Sequence, residues 1–135
     1  MSVEENKKVI IDAMAEWQAG DGSAFFRRLA DDAEWTVTGS TPVSATFRGK
    51  KEFVDGALKP LSGLLAGAIK PTLVNVLGEG DTVVLQWNGS ATASNGMPYH
   101  NMYCWVMEIH GGKITKGTAY LDTELVSKLF DNAAQ

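Results

Sequence analysis

Apolar positions recur at helical spacing in the first half of this chain and alternate with polar ones in the second. Ile10, Ala13, Met14 and Trp17 fall at i, i+3, i+4 and i+7, so residues 4–19 read as an amphipathic helix that Gly20 is placed to end. Asp21 or Ser23 can cap a short second helix whose Phe25, Phe26 and Leu29 face inward. From Ala33 the period shortens to two: Ala33, Trp35 and Val37 alternate with Glu34, Thr36 and Thr38 as a half-buried strand. A loop with Gly39 and Pro42 follows. Residues 50–67 return to helical spacing through Phe53, Ala57, Leu61 and Leu64, but Pro60 lacks the N–H of an interior turn and should kink or split the run. After Pro71 the pattern predicts strands at about 72–78, 82–94, 98–110 and 113–122, then a closing helix from Thr123, its cap, to about Phe130.

Helices followed by sequentially neighbouring strands make this an α+β chain, with helices on one face of a curved antiparallel sheet. Asn95-Gly96 and Gly111-Gly112 suit two-residue hairpin turns, because Gly and Asn tolerate positive φ. In that register Ser94 faces Met97 and His110 faces Lys113. Asn101 then lies between Ser90 and Asp122, followed on the same face by Asn88, Tyr103 and Tyr120, and then by Gln86, Trp105 and Thr118. Polar groups among aromatics are the make-up of a ligand cavity. They are equally the make-up of a solvated face, which antiparallel sheets often carry. The opposite, convex face is expected to hold Val83, Leu85, Trp87, Ala91, Met102, Cys104, Val106, Ala119 and Leu121. It needs cover of its own, so a homodimer through that face is expected.

The remaining bounds come from composition. The 135 residues, 44% of them hydrophobic, suit a single domain spanning 1–135 that needs no staple. A net charge of −4 without a basic cluster argues against nucleic acid. Cys104 is alone, the acidic Met1–Glu5 start shows no signal pattern, and no apolar run approaches the roughly 20 residues that span a bilayer, so no membrane contact and a cytoplasmic location are expected.

Several motifs resemble a known superfamily. Gly20-Asp21, Leu29–Trp35 and Phe47–Lys50 resemble the first half of nuclear-transport-factor-2-like proteins. Tyr99–Tyr103, Gly112–Ile114 and Ala119–Thr123 are similar to the second half of its SnoaL-like polyketide cyclase and ketosteroid-isomerase-like branch. The resemblance implies a cone-shaped sheet enclosing a pocket. It also implies that the positions of the ketosteroid isomerase tyrosine, base and protonated aspartate fall near Ala13, Val37 and Trp105, none of which performs that chemistry. The acid/base aspartate of the polyketide cyclases falls on Asp122.

Two readings of Asp122 stand at this point. Desolvated among Trp35, Trp105, Tyr103 and Tyr120, it would abstract a proton beside a carbonyl; at a strand-to-helix junction, it would cap the helix. Asn101 would orient Asp122 or a ligand carbonyl. Trp17, Trp35, Tyr103, Trp105, Tyr120 and Asn88 are the expected substrate-binding residues. His100 should point to the convex face and His110 sits at a hairpin tip. His100 and Cys104 would be roughly 13 Å apart along their strand, so no metal site is expected, and no cofactor. The function expected is cofactor-free acid/base catalysis on a small hydrophobic carbonyl compound. The alternatives are a binder of a small hydrophobic molecule without turnover, steroid- or polyphenol-like, and an interaction module with a vestigial cavity.

Overall fold

Ser2 and Glu5 start the first helix reciprocally. The Ser2 Oγ accepts the Glu5 N–H and the Glu5 carboxylate accepts the Ser2 N–H, each at 3.1 Å, so two otherwise orphaned donors are satisfied. In the computed structural model, which describes residues 2–133, this helix, α1, runs Val3–Gln18 and buries Ile10, Ala13 and Met14. It stops where Gly20 takes a φ of 113°. A short α2 (Ala24–Arg28) turns back against it, tied by Arg27 and Arg28 to Glu16.

Six strands follow: β1 (Leu29–Val37), β2 (Ala45–Arg48), β3 (Lys70–Glu79), β4 (Thr82–Thr92), β5 (Pro98–His110) and β6 (Lys113–Leu121). They form one curved, unclosed sheet in the order β2-β1-β6-β5-β4-β3, antiparallel except where β1 runs parallel to β6. The sheet is therefore mixed, and β2 occupies part of what reads as loop in the sequence. Between β2 and β3 come α3 (Lys50–Phe53), a π-helical turn (Val54–Leu58) and α4 (Lys59–Ser62). The run is split as expected, and Pro60 stands in the first turn of α4, just after the π-helical turn. In a regular α-helix its ring would meet the carbonyl of Gly56; instead the Lys59 N–H reaches back to the Val54 carbonyl, and the wider turn accommodates the proline. The chain ends in α5 (Thr123–Ala133).

Two clusters fill the concave side. Ile10 and Met14 of α1 pack on Val83, Leu85, Met107 and Ile109 at one end. Val126 and Leu129 of α5 pack on Ala91, Ala93 and Tyr99 at the other. Among the described residues no helix is long and apolar enough to cross a membrane.

Both hairpin registers differ from the sequence reading by one residue. The first turn is a three-residue loop, Ser94-Asn95-Gly96: the Ala93 N–H donates to the Met97 carbonyl at 2.8 Å, and Gly96 supplies the left-handed position with a φ of 92°. Asn101 therefore faces Gly89, and Tyr103 faces Trp87. The second turn pairs His110 with Lys113 as expected, but a bulge at Thr115 then moves the register, so that Trp105 faces Ala119 and Cys104 faces Tyr120. One residue is enough to turn a strand over. Val83, Leu85, Trp87, Ala91, Ala119 and Leu121, expected on the convex face, belong to the concave one. Met102, Cys104 and Val106 remain outside, now beside Gln86, Asn88, Ser90 and Tyr120.

Candidate functional site

Where α1, α2 and the α3–α4 segment meet the sheet, the side chains leave a cavity of about 190 Å³. The helices supply Trp17, Phe25, Phe26 and Phe53 to its wall, and the strands supply Trp35, Trp87, Tyr103 and Trp105. Trp105 is the hub. Its ring centroid lies 5.0 Å from that of Trp87, 5.1 Å from Trp35 and 5.3 Å from Phe25, each at a steep edge-to-face angle. Trp35 reaches this position because Gly117 faces it across β1 and β6; a Cβ there would stand 2.2 Å from the indole. Leu58 and Leu61 also line the space.

No Asp, Glu, His, Lys or Arg is among the lining residues, so Tyr103 is their only ionisable side chain. Its ring stacks on Trp87 with centroids 4.0 Å apart and planes 6° from parallel. Its hydroxyl lies 2.8 Å from the Tyr99 hydroxyl, which accepts from Asn101 Nδ2 at 3.1 Å. Burial pushes the Tyr103 hydroxyl well above the usual phenol range, and the neighbouring Tyr99 adds to this. Burial raises Tyr99 too, against the lowering effect of its bonds to Tyr103 and Asn101. Both hydroxyls hold their protons and act as hydrogen-bonding groups rather than bases.

Residues 10–117 match the family described as the SnoaL-like domain. The chain belongs to that family. Solved structures agree on the fold of this SnoaL-like domain. An NTF2-like protein from Burkholderia thailandensis superposes with a TM-score of 0.78 at 24% identity, covering 96% of this chain and 98% of that one. Bal32a, from a soil-derived mobile gene cassette, gives 0.78 at 19% identity over 94% and 97% of the two chains. TerC, co-crystallised with polyporic acid, gives 0.77 at 19% identity over 94% and 98%. No curated protein matches the chain significantly.

Of the residues expected at the site, the SnoaL-like domain brings Trp17, Trp35, Tyr103 and Trp105 together on the cavity. Asn101 is inward and 2% exposed, one step behind the wall through Tyr99. The other three are elsewhere. Asn88 and Tyr120, the latter 51% exposed, lie on the convex face because both registers moved by one residue. Asp122 is exposed beside Met102 and Tyr120 on that same side, and its Oδ1 accepts the Leu125 N–H at 3.1 Å, making Asp122 rather than Thr123 the cap of α5. The expected desolvated carboxylate among aromatics is thus absent from the described cavity. His100 is on the convex face as anticipated, 2.9 Å from Ser90 Oγ.

Trp87 and Tyr99 were not anticipated at the site. A signal for Trp87 existed: Leu85, Trp87 and Ala91 are apolar, while Gln86, Asn88 and Ser90 are polar, so the strand's own alternation marks its inner face. Tyr99 shares the parity of Asn101 and Tyr103, which places it on their face.

Proposed function

We propose that this protein binds a small apolar molecule of one or two rings in the aromatic cavity and performs no acid/base chemistry on it. The observation that carries the reading is the wall itself: eight aromatic side chains and no group that takes up and releases a proton near neutral pH. The alternative, proton transfer by Asp122, would need a carboxylate that is turned toward the start of α5 and the convex surface. TerC, a protein of the same fold, was co-crystallised with the small molecule polyporic acid, which supports looking for a small-molecule ligand here.

Size narrows the ligand. A dry cavity of roughly 150 Å³ holds benzene, so about 190 Å³ accommodates one ring or two fused rings. An aromatic group of this size buries about 150–250 Å², which contributes roughly 5 kcal/mol and a Kd on the order of 0.1 mM. Titration of naphthalene, followed by tryptophan fluorescence and melting temperature, tests this. Quenching with a raised melting temperature is expected. If neither signal moves up to the solubility limit, the cavity is not a ligand site.

A second copy of the chain, we also propose, covers the convex sheet face. The supporting observation is that Val74, Met102 and Tyr120 border one groove there, with Met102 74% exposed among the described residues.

A further inference from the structure

The wide turn that precedes Pro60 decides which side chains close the cavity. Leu58 and Leu61 come five and eight residues after Phe53. An α-helix advances about 100° per residue, so in an unbroken one they would stand about 140° and about 80° round from Phe53. All three nevertheless line the same cavity. The cause is the bond from the Lys59 N–H to the Val54 carbonyl. A turn closed by an i→i+5 bond takes up one residue more than an α-turn, which sets back everything beyond it by about 100°. Leu61 returns to within about 20° of Phe53, and Leu58, at the end of the wide turn, swings toward the same side. Both stand near the mouth: Leu58 is 39% exposed, and the exposed Gly22 lines the space as well.

We infer that Pro60 determines specificity: by holding the wide turn it keeps Leu58 and Leu61 on the cavity, and so sets how long a ligand the cavity accepts. This rests on the cavity being a ligand site and adds what limits the ligand's length. Upstream of the turn the segment is anchored. The Phe53 ring lies 5.5 Å from that of Trp35, and Gly56 sits so close to Phe47 that a Cβ would stand 2.3 Å from its ring. Downstream, the Leu64 carbonyl accepts the Ser94 N–H and the Ala66 N–H donates to the Thr92 carbonyl, each at 2.8 Å. The stretch between these anchors takes either a wide turn or a regular one. Pro60 selects the wide one, because a regular turn would set its ring against the Gly56 carbonyl and leave that carbonyl without an N–H. Pro60→Ala removes both obstacles. The regular turn, by far the commoner of the two, then rotates Leu58 and Leu61 off the wall.

The test compares quinoline with acridine, the same heteroaromatic body of two and three fused rings, on the whole chain. Equilibrium dialysis gives their dissociation constants for the unaltered protein, Pro60→Ala and Leu58→Ala. In Pro60→Ala the ratio of the two constants is expected to move about tenfold in favour of acridine, because the third ring takes the space that two leucines leave. Leu58→Ala trims the mouth without touching the backbone and is expected to move the ratio the same way, by about threefold. NMR couplings across the hydrogen bond identify the acceptor of the Lys59 N–H. It is the Val54 carbonyl in the unaltered protein and is expected to be that of Asp55 in Pro60→Ala. If Val54 remains the acceptor, Pro60 does not hold the turn and the inference is overturned. A ratio that stays within about twofold in either variant overturns it too. Binding of both probes with that ratio unmoved sinks this inference alone. Binding of neither sinks the cavity reading with it.

Discussion

The side chain of Asn101 holds the backbone of Asp122, not its carboxylate. Nδ2 donates to the Asp122 carbonyl and Oδ1 accepts the Asp122 N–H, while the Asp122 carboxylate turns away to cap α5. Two residues expected to form an acid/base pair are thus a clasp at the junction of β6 and α5. The clasp matters to the cavity because its remaining Nδ2 proton orders the tyrosine hydroxyls behind the wall.

The two residues should therefore fail differently. Asp122→Ala removes one cap and is expected to cost about 1 kcal/mol, with the affinity for naphthalene unchanged. Asn101→Ala strands the Asp122 backbone groups and removes one of the two partners of the buried Tyr99 hydroxyl, and is expected to cost about 2–3 kcal/mol. Denaturant melts measure both. An Asp122→Ala variant that folds normally but loses the ligand would restore Asp122 to the site.

Alkaline pH should loosen the fold through the tyrosines. Burial raises Tyr103 and Tyr99 above the ordinary value of 10.0, so the folded state keeps protons that the unfolded chain releases. That contribution is fully present below about pH 10 and is lost as pH rises beyond it, at up to about 1.4 kcal/mol per pH unit for each group. The stability of Tyr103→Phe should decline less steeply between about pH 10 and 11.5 than that of the unaltered protein. Equal slopes would mean that Tyr103 is ionised as readily in the folded state as in the unfolded one.

Assembly through the convex face should depend on Met102 and leave the cavity alone. Sedimentation at micromolar concentrations is expected to show a dimer, and Met102→Asp a monomer, because a carboxylate buried at an apolar contact is unpaired. Naphthalene affinity should be the same in both. A clean monomer of the unaltered protein would remove the convex-face interface from consideration.

Periodicity alone determined the elements. The stripe of Ile10, Ala13, Met14 and Trp17, the stop at Gly20, the turns at Asn95-Gly96 and Gly111-Gly112, and the shared parity of Asn101, Tyr103 and Trp105 are all local patterns, and each is present in the fold. Which residues of β4 and β6 join that parity is not a local property. It depends on whether the first loop contains two residues or three, and on whether an extra residue is accommodated at Thr115; both are settled by how the strands pack against their neighbours. A strand's side chains alternate with period two, so each single-residue difference exchanged its two faces. That exchange brought Trp87 into the cavity and carried Asn88, Tyr120 and Asp122 out of it. The short β2 went unread for a related reason: four residues, Ala45–Arg48, are too few to establish a period, and they form a strand only because β1 offers them an edge.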